Sequence, residues 1–441
     1  MFTRSYTLPC NHLGISGFSS SLYRSPHTIY WCSRRTLLRR VFPRRSRQSS
    51  FPSSTQKSHL YSNAPYSTLS ASDLEYGYIA DVERLRDYRP GGYHPIEIDD
   101  RLHKRYRIVH KLGHGTFSTV WLALDERTSK YVAVKIGTAD ADMQEVEILS
   151  QLTTGVPDYS HAAHKTSMIH PVIDRFSLDG PNGTHPCFVT VPARCSLMDA
   201  KEASDSRLFE LSVARSLAAQ LAMAISLVHS QGYAHGDLHL GNLLLQLPPS
   251  FNGLSVYELY AEIGAPEPEP VIRLDRLDKS STSSAAGIPS YAVPAVWLGI
   301  ASDEITLTEA KLLLGDFGVA FRPSDKSRFE SYTPLVIRPP EAYFEPTTPL
   351  SFASDIWSLG CTIFELLAHR SLIDGILAPQ DEITAQQVHL QAPLPSEWWD
   401  NWEQRSKWFD EAGIPLSNER DIWTWDRRLS NGYKSRDSLV V

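Results

Sequence analysis

Cysteine is scarce in this chain. There are five in 441 residues, at Cys10, Cys32, Cys187, Cys195 and Cys361, and no two form a CxxC pair. That pattern argues against a disulfide framework or a zinc site and leaves buried or idle thiols. Long apolar runs are also missing. With no stretch of about 18 apolar residues, no transmembrane helix is expected. A third absence is local: residues 1–72 contain no Asp or Glu, and Asp73 is the first acid. The same stretch holds nine Arg, one Lys and 17 Ser, with Arg pairs at Arg34-Arg35, Arg39-Arg40 and Arg44-Arg45. A segment rich in Arg and Ser and free of acids has the composition of a mitochondrial transit peptide. The alternatives are a disordered basic tail or a nuclear address, which would place the protein in the cytoplasm or nucleus.

What is present divides the chain. The formal net charge of -7 hides an asymmetry, since the residues after position 72 carry 33 basic and 50 acidic side chains. An acidic body suits basic partners. Residues 1–75 read as a disordered or targeting segment, and 76–104 as a polar, Tyr-rich lead-in. Residues 105–191 form a β-rich part, with strand patterns over Tyr106–Leu112, Thr119–Asp125, Tyr131–Gly137 and Cys187–Val191 and a helix over Asp142–Leu152. Residues 192–441 are mainly helical. Their longest apolar periodicity, Leu208–Gln231, places Leu211, Ala214, Leu217, Leu221, Ile225 and Val228 on one face. A second apolar helix covers Ala353–Ala368. An insertion at about 247–310 contains a Pro- and Glu-rich piece (265–270) and a Ser-rich one (279–284), which predicts partial disorder. The Trp-rich tail beyond Pro393 is expected to pack onto the helical part.

Four short motifs carry the chemistry. Gly113-His114-Gly115-Thr116-Phe117-Ser118-Thr119-Val120 is a glycine-rich turn between two strand patterns. Its glycines permit turn conformations and a close approach of backbone to phosphates. Val132-Ala133-Val134-Lys135-Ile136 offers a lysine for phosphates, to be held by a glutamate of the next helix: Glu145, with Glu147 as competitor. His235-Gly236-Asp237-Leu238-His239-Leu240-Gly241-Asn242 offers Asp237 as a base for an attacking hydroxyl. With Gly315-Asp316-Phe317-Gly318 it also offers two metal ligands, Asn242 and Asp316. This set, in this order, is what phosphoryl transfer requires. Arg338-Pro339-Pro340-Glu341 and Asp355-Ile356-Trp357-Ser358-Leu359-Gly360 follow, and Asp355 is expected to hydrogen-bond the catalytic-loop backbone.

Together these motifs resemble the eukaryotic protein kinases. The lead-in Gly91-Gly92-Tyr93-His94-Pro95 and the run Phe117-Ser118-Thr119-Val120-Trp121-Leu122 are similar to those of the SR-protein kinases. The resemblance covers about residues 88–390. It implies an α+β, two-lobed protein-kinase fold with a small β-rich N-lobe and a larger, mainly helical C-lobe. It implies a Ser/Thr protein kinase using ATP and Mg²⁺ on protein substrates rich in Arg-Ser, with no direct nucleic-acid contact and a monomeric state. The nucleotide would then lie against Leu112, Gly113, Gly115, Val120, Ala133, Lys135, Thr190, Val191 and Leu244. Catalytic roles would fall to Asp237, Lys135, Glu145 and His239, and metal binding to Asn242 and Asp316. Thr333 would meet Asp237.

Several positions depart from the family pattern. Gly236 stands where many kinases have Arg, so no phosphate on the activation segment would be paired there. His239 replaces a lysine that would touch the γ-phosphate. No Arg-containing motif near the C-terminus offers the usual partner for Glu341. The loop His-Gly-Asp-Leu-His-x-Gly-Asn also occurs in kinases of small molecules. A small-molecule phosphotransferase and a nucleotide-binding pseudokinase scaffold are therefore the competing readings.

Overall fold

The computed structural model describes residues 76–153, 168–274, 287–375, 377–391, 393–416, 422 and 424–432. The basic segment 1–75 and the Ser-rich stretch 279–284 lie outside them.

The small lobe is an antiparallel sheet of six strands in the order β1-β2-β3-β4-β6-β5. The strands are β1 (Arg101–Leu102), β2 (Tyr106–His114), β3 (Ser118–Asp125), β4 (Lys130–Gly137), β5 (Val172–Gly180) and β6 (Gly183–Thr190). Most of β2, β3 and β4 is buried on both faces. One face carries Tyr106, Ile108, Trp121, Val132, Val134 and Val189. The other carries Val109, Leu112, Val120, Leu122, Tyr131 and Ala133. Such strands read as apolar runs rather than alternating ones, because neither face meets water. β5 differs. It is the sheet edge and alternates half-buried with exposed residues, so Asp174, Ser177 and Asp179 masked it in the sequence.

The helix after β4 spans Gln144–Thr153 rather than starting at Asp142, whose carboxylate accepts from Gln144 N at 3.1 Å and caps it. In the large lobe the long helix is Leu211–Ser230. It starts later than the apolar periodicity suggests because Glu210, an unusual cap, accepts from Ser212 N and Val213 N. This helix is long and apolar enough to cross a membrane by composition. Its Val213, Ala214, Leu217, Leu221, Ala224, Ile225 and Val228 are instead buried in the large-lobe core. Phe352–Leu367 packs beside it, capped by Ser351. A three-stranded sheet, β7 (Ala193–Ser196), β8 (Leu243–Gln246) and β11 (Leu312–Leu314), runs in the order β11-β8-β7 beneath the cleft.

Residues 247–274 and 287–310 of the insertion are described. Residues 265–270 are placed, and β9 (Glu269–Pro270) pairs with β10 (Tyr291–Ala292). Although it leaves from β8, the insertion packs on the small lobe. Phe251, Leu259 and Leu298 join Val109, Leu112, Leu122 and Tyr131 in one apolar cluster. A Ser255–Glu258 capping box starts its helix, Val256–Ile263. Composition hid this because the apolar residues are few but spaced at i, i+3 and i+4. The chain returns at Ser302, whose N–H meets Ala200 O.

The Trp-rich tail packs on the large lobe. Trp402 is buried and donates to Asp381 at 2.8 Å. Trp398 stacks on Phe344 and donates to Glu345 at 2.9 Å.

Candidate active site

The cleft lies between the two lobes. Val120 from β3, Ala133 and Lys135 from β4, Thr190 at the end of β6 and Leu244 from β8 line it. Four residues expected to touch the nucleotide are not among its walls. Leu112 belongs to the same apolar cluster as the cleft residues Val120 and Ala133, and Val191 packs on Ala193 and Leu244. Gly113 and Gly115 belong to the turn at the cleft's edge. Neither has a positive φ, so the turn conformation is not what demands glycine there. Close approach is the remaining reason. The structure adds Leu149, His170, Phe188, Ala193, Gly241 and Gly315 to the walls. Phe188 was findable, because it lies two residues before Thr190 on one strand face and pairs with Lys135. His170 had no sequence signal.

Lys135 and Glu145 meet at 2.5 Å. Glu147, the competitor, is exposed. Burial works against the charge on Lys135, but Glu145 and Asp316 outweigh it and raise its pKa.

Asn242 and Asp316 also line the cleft, and Asp237 lies against Asn242. The Asn242 amide donates to Asp237 O at 2.8 Å and Asp237 Oδ2 at 3.4 Å. The Asp237 carboxylate is buried and its Oδ1 has no hydrogen-bond partner; nor has Asp316 Oδ2. Buried, unpaired carboxylate oxygens are costly. Burial pushes the Asp316 pKa up to about 7, helped by Glu145 and Asp237 and opposed by Lys135. Among the described residues no three His, Cys, Asp or Glu side chains cluster as metal ligands. A carboxylate and an amide, from Asp316 and Asn242, suit a hard divalent cation that keeps much of its water, and they do not suit zinc. The residues therefore fit the divalent metal that kinases use.

The backbone beneath this site is built by Asp355. Its carboxylate accepts from His235 N at 2.7 Å and Gly236 N at 2.9 Å. Gly236 has φ +78°, and a Cβ there would meet Val319 O at 3.2 Å. Any side chain at this position would be strained. His235 donates from Nε2 to Gly315 O at 3.0 Å, tying the catalytic loop to the Asp316 loop.

Two side chains have partners that the sequence did not show. His239 Nδ1 accepts from Gly241 N at 3.0 Å. Its Nε2 then carries the ring proton and lies 3.6 Å from Asp237 Oδ2. The ring is directed at the catalytic carboxylate, because the loop amide captures its other nitrogen. The Thr333 hydroxyl pairs with Ser331 Oγ at 2.6 Å rather than with Asp237. Arg338, from the Arg-Pro-Pro-Glu motif, holds Thr333 O at 3.1 and 3.2 Å. Burial raises the pKa of Glu341, opposed by its own backbone and by Ser354. The buried Arg428, near the C-terminus, binds Leu372 O and Gln386 instead.

The protein kinase domain family matches residues 106–251. The chain is 33% identical over 173 residues to serine/threonine-protein kinase spk-1 of Caenorhabditis elegans, covering 38% of this chain. That match spans only 17% of the nematode kinase. Serine/threonine-protein kinase SRPK of Physarum polycephalum is 25% identical over 353 residues, 76% of this chain and 78% of its own. SRSF protein kinase 3 of Homo sapiens is 30% identical over 192 residues, 43% of this chain and 34% of its own. A solved kinase-domain structure superposes with a TM-score of 0.50 at 19% identity, covering 76% of this chain and 85% of that one. It supports the two-lobed α+β fold alone. In its fold, its paired Lys135 and Glu145 and these matches, the chain is similar to protein kinases, those of the SRPK group among them.

Proposed function

We propose that the protein is a Ser/Thr protein kinase that uses ATP and Mg²⁺ to phosphorylate hydroxyls of basic, Arg-Ser-rich protein substrates. The observation that carries this reading is the closed Lys135–Glu145 pair sharing one cleft with Asn242 and Asp316, with Asp237 held against Asn242. Lys135, kept charged, would neutralise phosphate oxygens. Asp316 and Asn242 would hold Mg²⁺, which when bound shields the charge that develops on the transferring phosphoryl group. Asp237 has Oδ1 unpaired and would orient a substrate hydroxyl and take its proton. Asn242 and His239 crowd Oδ2 and so fix which oxygen faces the substrate. Basic substrates suit a body in which acids outnumber bases, and the relatives include kinases named for SR-type proteins. We assign a mitochondrial address to the first 72 residues from their composition.

The decisive experiment is Asp237→Asn. Phosphoryl transfer to Arg-Ser peptides should disappear, because the base is lost, while Mg²⁺-dependent ATP binding by calorimetry persists. Near-normal turnover in this variant would overturn the assignment. Transfer to a small molecule such as an aminoglycoside, but not to peptides, would replace the substrate class.

A further inference from the structure

We propose that Tyr93, in the lead-in ahead of the β-sheet, is a positioning residue for the phosphate-binding turn. Its hydroxyl donates to Gly115 O at 2.6 Å and lies 3.0 Å from Thr116 O. Both carbonyls belong to the glycine-rich turn. A phosphate site there needs turn N–H groups at its disposal, and a donor that engages the turn's carbonyls fixes the orientation of those peptide planes. Glycine lends the turn freedom, and the tyrosine removes it.

Tyr93 is itself anchored on all sides. It is buried to 4% exposure and packs on Tyr88 with ring centroids 5.5 Å apart. Tyr88 donates to the buried Glu83, which pairs with the fully buried Lys111 on β2, two residues before Gly113. The Asn182 amide, from the β5–β6 turn, holds Tyr93 O at 2.7 Å. The two residues before Tyr93 reach the other half of the phosphate site. Gly92 O accepts from Ala139 N at 3.0 Å and Gly91 O from Asp140 N at 2.9 Å. Residues 139–140 lead directly into the helix that carries Glu145. A Cβ on Gly91 would collide with Asp140, and one on Gly92 with Asp87 O. One short segment therefore sets both the glycine-rich turn and the approach to the Lys135–Glu145 pair.

The inference rests on the nucleotide reading of the cleft, and its test separates the two. Tyr93→Phe removes only the hydroxyl and keeps the buried ring. Tyr260→Phe is the control: it removes a hydroxyl that donates to Val109 O at 2.8 Å on the same β2 strand, away from the turn. Amide hydrogen exchange of the nucleotide-free protein should quicken at residues 115–118 in Tyr93→Phe and not in Tyr260→Phe. Loss of one neutral hydrogen bond should weaken Mg²⁺–ATP binding, and raise the KM for ATP, about three- to tenfold. The KM for peptide should stay unchanged. Unaltered exchange at the turn in Tyr93→Phe, or an equal change in Tyr260→Phe, overturns the role. If the wild-type protein binds no Mg²⁺–ATP, the nucleotide reading fails, while the exchange comparison still decides whether Tyr93 orders the turn.

Discussion

Asp316 sits at φ +57°, a left-handed conformation that non-glycine residues seldom adopt. Its carboxylate is buried with Oδ2 unpaired. It also sets a pH dependence. The folded pKa of about 7 lies above the unfolded value near 3.9. The folded state therefore binds this proton more tightly. The associated stability is fully present below about pH 4 and is lost as pH rises through about 7. In metal-free buffer, Asp316→Asn should flatten that loss, so its melting temperature should gain on the wild type between pH 5 and pH 8. Mg²⁺ should raise the wild-type melting temperature at pH 8 and leave the variant nearly unmoved. A variant that tracks the wild type at both pH values would place the titration elsewhere.

Residue identities were the most legible layer. Lys135, Glu145, Asp237, Asn242 and Asp316 stand in motifs whose spacing is set by chemistry; four of them line one cleft, and Asp237 is hydrogen-bonded to Asn242 beside it. Side-chain directions were not legible. Whether His239 faced a phosphate or Asp237 depended on the Gly241 amide, a backbone group without sequence signature.

At the scale of elements, apolar periodicity located β2, β3, β4 and the two long helices within a few residues. It missed β5, because an exposed edge strand has few apolar side chains to alternate. It also missed the packing of the insertion, which depends on contacts between residues far apart in sequence, such as Leu259 with Leu112. That packing has a measurable weight. Leu259 is fully buried, so Leu259→Ala should lower stability by about 2–5 kcal/mol. An insertion merely tethered to the surface would lose no more than about 0.5 kcal/mol. The midpoint of urea unfolding distinguishes the two. A shift of the smaller size would mean that the insertion contributes little to the small lobe.

The whole molecule is electrically divided. Ten positive charges precede a body in which 50 acids face 33 bases. A membrane potential that is negative inside draws such a leading segment inward, by about 2.3 kcal/mol per charge per 100 mV if the full potential is crossed. A fusion of residues 1–72 to a fluorescent protein should therefore enter mitochondria. Replacing Arg34, Arg35, Arg39 and Arg40 with Glu should stop it. Nuclear fluorescence from the unaltered fusion would reject the address.

The insertion has one more consequence. The chain passes between the lobes at Val191-Pro192-Ala193. It passes again between β8 and Phe251, and again between Leu298 and Ser302. Among the described residues these three covalent crossings, two of them packed at both ends, make the small lobe a poor candidate for separate melting. Its outer apolar layer is completed by residues borrowed from the middle of the large lobe's sequence. The two lobes should lose structure in a single cooperative step, and the boundary that divides them in space does not divide them in folding.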